Sequence, residues 1–438
     1  MDFTPILFFI VILVLLLAGF PVAFTLGGAS IIFGLFTFGF DFFNLLPLRV
    51  WGIMSNYILI AVPLFIFMGV MFEKSGISEE LLETMALLFG KIRGGFGYAV
   101  LLVGVMMGAS TGIVGSTVVT MGVLSLPVML KRGCDPDAST GIIAASGTLG
   151  QIIPPSIVLV LLGSVLNVPI GDLFIGAVIP GFILVFLYFV WILIQSVFNK
   201  KAFPAMPANE VALFQGKGKY KKIINAFLLP LLLVVAVLGS IFLGIASPTE
   251  AAAIGALGAT VLTIIRKRFS IEILKEVSQK TTWMTSMAFL ILVGASAFGL
   301  VFRGLHGDLY LKGLIMSANM DAHHFLLVVM IIIFIAGFFI DFIEITFIIV
   351  PIVAPIFVHY QIDLLWVGIL IAINLQTSFL TPPFGFSLFY LKGVAPPEIT
   401  SGNLYRGIVP YVIIQIIVLS VIAFYPQLVT CLVSVLKS

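Results

Sequence analysis

Four polar interruptions within otherwise apolar sequence hold the residues that could do chemistry. The first is Gly108-Ala109-Ser110-Thr111-Gly112-Ile113-Val114-Gly115-Ser116-Thr117, and the second runs from Ser146 to Ser156 through Gly147, Thr148, Gly150, Gln151 and Pro154-Pro155. The third, Gly337 to Thr346, carries Asp341 and Glu344; the fourth runs from Asn374 to Gly385 through Gln376, Thr377, Ser378, Thr381 and Pro382-Pro383. Hydroxyls and unwound carbonyls are hard oxygen donors, the ligand type that suits Na⁺. A helix that restarts inside an apolar region instead offers unpaired N–H groups and a partial positive charge to an anion. One site of this kind can serve both. Gly147 and Gly150 let backbone approach a ligand closely, although small residues also serve plain helix packing. Ser146, Thr148, Ser156, Asn374 and Ser378 are the candidate substrate contacts. No Arg or Lys stands in either proline-containing break, so a carboxylate would be held by half-helix N-termini and hydroxyls.

Asp341 and Glu344 are the two acids deep in an apolar run, where charge is costly and suggests function. Asp341 could ligate a cation or carry a proton. Asp-x-x-Glu is equally the pattern of a capping box that opens a helix, and Glu344 reads as its second member. Ser247-Pro248-Thr249-Glu250 reads as a helix start, as does Asp135-Pro136. Pro154-Pro155 is expected to open a second half-helix, and Thr381 to be an N-cap. No phosphate-binding Gly-x-x-x-x-Gly-Lys-Ser/Thr loop, His-Glu-x-x-His or Gly-x-Ser-x-Gly motif occurs, so neither ATP hydrolysis by that route nor a membrane enzyme is indicated. Cys134 and Cys431 lack metal or redox spacing, and His306, His323, His324 and His359 lie near expected span ends rather than in a ligand pattern.

The elements that must position these residues are membrane helices. Of the 438 residues 61% are hydrophobic and 9% charged, against roughly a quarter charged in soluble domains. Windows such as Pro5 to Leu17, Phe227 to Leu243 and Leu326 to Ile340 are nearly free of charge. Backbone in lipid must satisfy its own hydrogen bonds, and the alternation of outer-membrane strands is missing, so the expected fold is an all-α polytopic membrane protein. The stretch from Phe3 reads as a retained first span rather than a signal peptide. A net charge of +3 spread over loops implies no nucleic-acid partner.

Landmarks recur at a fixed offset. Pro21 and Gly28 match Pro248 and Gly255 at 227; Gly76 matches Gly304, Pro127 matches Pro355, Asp135 matches Asp363, and Pro154-Pro155 matches Pro382-Pro383 at 228. Such order across the chain indicates a duplication: a first unit 1–200, a cytoplasmic linker 201–222 and a second unit 223–438. Each unit has two spans meeting at a proline corner (4–20 and 22–40; 224–245 and 248–266) and a third (50–73; 283–303). There follow a hairpin (94–130; 323–359), a broken helix (138–165; 364–391) and a last span (171–197; 405–430). A re-entrant hairpin leaves five crossings per unit, an odd number that inverts the second copy. With the N terminus outside, all of the 22 lysines and arginines except Arg49, Arg303, Lys312 and Lys437 fall on cytoplasmic segments, in the direction of the positive-inside rule. Broken helices in inverted repeats are where secondary transporters bind substrate and ions.

Several stretches, taken together and in order, resemble the large membrane subunit of tripartite ATP-independent periplasmic (TRAP) transporters. They are Val62-Pro63-Leu64-Phe65-Ile66-Phe67-Met68-Gly69, Gly115-Ser116-Thr117, Leu126-Pro127-Val128-Met129, Gly147-Thr148-Leu149-Gly150 with Ile153-Pro154-Pro155-Ser156, Ser247-Pro248-Thr249-Glu250-Ala251-Ala252, and Thr381-Pro382-Pro383-Phe384-Gly385. The resemblance implies a sodium-driven importer of organic anions, usually carboxylates, in a bacterial inner membrane, working by an elevator motion. It also implies a small four-helix membrane subunit and a periplasmic substrate-binding protein as partners. Its sodium-site roles fall on Ser116, Thr117, Gly147, Gly150, Asp341, Thr377, Thr381 and Gly385. Glu344 departs from the family pattern, which has a small or apolar residue there. Two other readings are a self-sufficient sodium/anion symporter and a cation or proton exchanger using Asp341.

Overall fold

The computed structural model describes residues 3–112, 114–206, 223–317, 320–382 and 385–437. Most of the linker 201–222, together with Ile113, Pro383, Phe384 and the side chains of Ser110 and Thr111, lies outside the described residues. The described chain is helical throughout, and no strand occurs among its residues. Seven helices are long and apolar enough to cross a membrane, or eight if Phe342–Ile348 and Val350–His359, bent by 50°, count as one span. Many large apolar side chains on their outer faces, such as Phe182, Phe186 and Phe198, are exposed, as lipid-facing residues are.

Helix starts follow the sequence closely. Asp135 Oδ1 accepts from the N–H groups of Asp137 and Ala138 at 2.9 and 3.2 Å and opens Pro136–Thr148. Asp363 Oδ1 accepts from Leu365 N–H at 2.8 Å and opens Leu364–Leu380. Ser247 and Glu250 form a capping box at the start of Pro248–Ile265. Helix ends were read less well. The last span stops at Phe424 instead of running to 430, because Tyr425, before Pro426, is driven out of helical geometry. A separate helix, Gln427–Lys437, follows. The third span of the first half likewise divides into Leu46–Met54 and a helix from Tyr57 to Lys74, with Asn56 accepting from Ile58 N–H between them.

At the centre stand Pro136–Thr148 and Leu364–Leu380. Every residue from Ala138 to Thr148 and from Leu365 to Leu380 is buried, so these helices have no lipid face and need no amphipathic stripe. Around them the packing is reciprocal. Pro136–Thr148 packs on Ser401–Phe424, and Leu364–Leu380 on Ile170–Phe198. Val114–Lys131 packs on Phe386–Val394, while the bent pair 342–359 packs on Ile157–Leu166. Ala61–Lys74, Pro248–Ile265 and Ile271–Gly304 form a second packed group to one side.

Polar contacts between distant segments sort the helix ends into two sets. Asn56 with Ser164, Tyr57 with Thr249, and Asp172 with Lys437 mark one end of the molecule. Glu80 with Arg266, Asp137 with Asn403 and Arg406, and Lys74 with Glu276 mark the other. The first set falls on segments that the charge bias assigns to the outside, and the second on cytoplasmic ones.

Candidate substrate and cation site

The first hairpin consists of Gly95–Thr111 and Val114–Lys131, joined at Gly112, whose φ of +62° is readily adopted only by glycine. Its tip lies against the first interrupted helix, since a Cβ on Gly112 would sit 2.9 Å from Ile157 N. Farther along, Gly108 and Gly150 meet backbone to backbone: a Cβ on Gly108 would lie 2.7 Å from Gly150 N. Pro136–Thr148 continues as a short 3₁₀ turn, Leu149–Gln151, and the chain then leaves helical geometry until Ile157–Leu166 begins. Pro154-Pro155 therefore does not open the half-helix. The pair lies in the connector, and the extended residue before the helix is Ser156, whose hydroxyl donates to Gln151 carbonyl at 2.7 Å across the break.

The second hairpin has Ala322–Ala336 as its first limb and the bent pair 342–359 as its second. A Cβ on Gly337, at the end of the first limb, would come 2.1 Å from Ser378 Oγ, which seats the hairpin on the second interrupted helix. Asn374 fastens the same two elements, donating from Nδ2 to Met330 carbonyl at 2.7 Å. Thr381 is not an N-cap. It is the extended C-cap residue that follows Leu364–Leu380, and it turns its hydroxyl back to Thr377 carbonyl at 2.7 Å. The next half-helix, Phe386–Val394, starts from Gly385 with φ +23°. Ser387 ties the two halves together by donating to Phe379 carbonyl at 2.8 Å.

The two breaks meet. Gln376 Nε2 donates to Thr148 Oγ1 at 3.4 Å, joining positions 228 residues apart. Ser146, Thr148, Ser156, Thr377 and Ser378 are all fully buried. Each spends its proton within its own segment: Ser146 on Ile143, Thr148 on Ala145, Thr377 on Ile373 and Ser378 on Leu375, at 2.8–3.2 Å. A hydroxyl that has donated its proton keeps lone pairs. These oxygens can thus face a cation or an N–H donor. Sequence reasoning passed over the amides beside them. Among the described residues, Gln151 is fully buried with neither Oε1 nor Nε2 partnered, and Gln376 Oε1 and Thr346 Oγ1 are also buried and unpartnered. Buried polar atoms are ordinarily satisfied. The signal was available, because Gln151 and Gln376 are the two glutamines in the breaks.

Other expected residues are placed differently. Thr117 is fully buried on the second limb of the first hairpin. Ser116, on the same limb, donates instead to Glu73 Oε2 at 2.6 Å, and Glu73 is bridged by Lys280 at 2.8 and 2.9 Å. This cluster joins the hairpin to two helices of the neighbouring group, to the end of Ala61–Lys74 through Glu73 and to Ile271–Gly304 through Lys280. Asp341 and Glu344 form a capping box, the Asp341 side chain accepting from Glu344 N–H and Asp341 N–H donating to Glu344 Oε2 at 2.9 Å; Phe342 N–H also donates to Asp341 Oδ1, at 2.7 Å.

Comparison with known proteins fits this architecture. Residues 9–428 match the family model described as the tripartite ATP-independent periplasmic transporter, DctM component. A C4-dicarboxylate TRAP transporter large permease protein DctM of Pseudomonas aeruginosa is 30% identical, over 87% of this chain and 87% of its own length. A sialic acid TRAP transporter large permease protein SiaM of Vibrio cholerae is 28% identical over 94% of each chain. Among solved structures, the Alcanivorax borkumensis YdaH transporter matches with a TM-score of 0.62 at 14% identity, covering 88% of each chain. MtrF of Neisseria gonorrhoeae matches at 0.56, also at 14% identity, covering 97% of this chain and 95% of its own. The chain belongs to the DctM family of TRAP transporters and is a multi-pass transport protein of the bacterial inner membrane, not an enzyme.

Proposed function

We propose that the chain is the transport subunit of a Na⁺-coupled importer of organic anions, carrying a carboxylate at the junction of the two interrupted helices. It works with a small four-helix membrane subunit and a periplasmic substrate-binding protein, the other parts of a tripartite system. The observation that carries the reading is the convergence of two hairpins on two breaks: Gly112 against Ile157, Gly337 against Ser378, and Gln376 against Thr148 between them. The half-helices Ile157–Leu166 and Phe386–Val394 begin at the breaks. Their first N–H groups have no intrahelical partner and favour a carboxylate. The hydroxyl lone pairs and connector carbonyls supply hard oxygens for Na⁺. The relatives named for C4-dicarboxylates, sialic acid and ectoine handle compounds that share a carboxylate.

Inverted repeats and an elevator motion belong to the same proposal. Positions near 228 apart touch each other, Thr148 with Gln376 and Tyr188 with Gln415 at 2.8 Å. Such pairs lie on the axis that would relate two copies. The reciprocal packing of each hairpin on the other unit's half-helix supports this symmetry. The buried block of hairpins and interrupted helices would slide against the neighbouring group of helices, carrying the site across. The exchanger reading gains no support from the geometry, because Asp341 and Glu344 spend oxygens on helix capping.

The test is uptake of radiolabelled succinate and N-acetylneuraminate into proteoliposomes holding both membrane subunits, with the loaded binding protein added outside. The reading predicts accumulation of at least one anion that requires an inward Na⁺ gradient and the binding protein. Uptake that persists when Na⁺ is replaced by choline would refute sodium coupling; uptake indifferent to the binding protein, and retained in proteoliposomes made without the small subunit, would favour a self-sufficient symporter.

A further inference from the structure

Among the four basic residues on the outer side, Lys437 is paired with Asp172 at 2.6 Å, but two others converge on one cavity. Arg49 and Arg303 line a space of about 500 Å³, within the range of roughly 300–1,000 Å³ typical of small-ligand pockets. Neither guanidinium has a hydrogen bond or ion pair among the described residues, although Asp308 stands on the same wall. Two like charges thus face one cavity, with no acid ion-paired to either among the described residues. Such an arrangement is unfavourable empty and is relieved by an anion; a planar guanidinium also pairs with a carboxylate through two parallel hydrogen bonds.

The walls tie this cavity to the transport site. Pro351 comes from the second hairpin, and Ser164, hydrogen-bonded by Asn56, lies near the outer end of Ile157–Leu166. The inner end of that half-helix is the first break. Its 10 residues span about 15 Å at the usual helical rise. A carboxylate held by the arginines would therefore stand one half-helix outward of the junction, between the hairpin that must open and the helices it leaves.

We propose that the Arg49–Arg303 cavity is an outer reception site for the carboxylate group of the substrate, occupied before the anion reaches the broken helices. This rests on the reading of the chain as an importer of organic anions. The junction itself has no basic side chain, so the arginines would attract and orient the anion, and the half-helix N-termini would hold it during transport.

The test is residue-resolved modification by phenylglyoxal, which reacts with free guanidiniums, on the purified complex of both membrane subunits in detergent, read by mass spectrometry. Succinate or N-acetylneuraminate is expected to slow modification of both Arg49 and Arg303 roughly fivefold, a change of about 1 kcal/mol, whereas uncharged succinamide does not. In Arg303→Gln the protection of Arg49 should largely disappear, and in Arg49→Lys that of Arg303 should weaken. Thr381→Ala, which strikes the junction, should leave protection intact. Protection by neither anion overturns the reception site while Na⁺-driven uptake can still stand. Protection that appears only with the periplasmic binding protein overturns it in favour of a protein-docking surface. Protection without any carboxylate uptake keeps the anion site and removes the import reading.

Discussion

Each hydroxyl at the two interruptions donates into its own segment, and this decides what its oxygen can do next. Thr381 is the clearest case. Its donation to Thr377 carbonyl uses the hydroxyl proton and leaves the lone pairs of Oγ1 able to accept. Removing that oxygen in Thr381→Ala is expected to raise the Na⁺ concentration for half-maximal uptake about tenfold, the equivalent of one lost polar contact of about 1.4 kcal/mol. Membrane insertion should be unchanged, as judged by yield and monodispersity; wild-type sodium dependence in this variant would remove Thr381 from the cation site. The residue's importance was legible in the sequence, but its role in the helix was not. N-cap and C-cap differ only in where the following helix begins, and that point is set by Gly385 at φ +23°, which composition does not announce. The Asp341–Glu344 pair shows the opposite balance: local spacing offered the capping box as one of two readings, because both partners lie within one turn.

At the scale of elements, the glycines at the breaks serve close packing whatever else they do. Gly108→Val would force a branched side chain onto the backbone of Gly150. The expected loss is about 1–3 kcal/mol of stability, seen as a lower melting temperature in detergent; an unchanged melting curve would mean the hairpin does not rest on the break. The cluster of Ser116, Glu73 and Lys280 is a polar contact between the first hairpin and the neighbouring helices, beside the packing of Gly95–Thr111 on Ala61–Lys74. In Lys280→Met the carboxylate of Glu73, 17% exposed, loses its cation, and stability should fall by about 1–3 kcal/mol, less than for a fully buried pair because solvent screens the charge. Adding Glu73→Gln should restore most of it in a double-mutant cycle; equal and additive losses would show that the pair is not coupled. The hairpins and broken helices themselves were visible as matched interruptions. This cluster was not, since its members stand 43, 164 and 207 residues apart and no local pattern links them. The unpartnered Gln151 was overlooked for a related reason: only burial makes an amide conspicuous.

For the molecule as a whole, an apolar composition with 9% charged residues sufficed to expect an all-helical, multi-span membrane protein. The family model spanning 9–428 places that chain among TRAP transporters. What sequence patterning could not supply is which halves touch. Contacts such as Thr148 with Gln376 depend on how two long segments cross, and crossing is decided by packing around helices buried on every side. Under the proposed function, the block of hairpins and interrupted helices moves against the group containing Ala61–Lys74. The most direct test replaces Cys134 and Cys431 by serine, introduces Ser116→Cys with Glu73→Cys, and bridges the new pair with a short bis-methanethiosulfonate. The account predicts that bridging abolishes Na⁺-driven uptake in proteoliposomes and that dithiothreitol restores it, whereas each single cysteine variant is indifferent to the reagent. Uptake at full rate by protein shown to be completely bridged would contradict it.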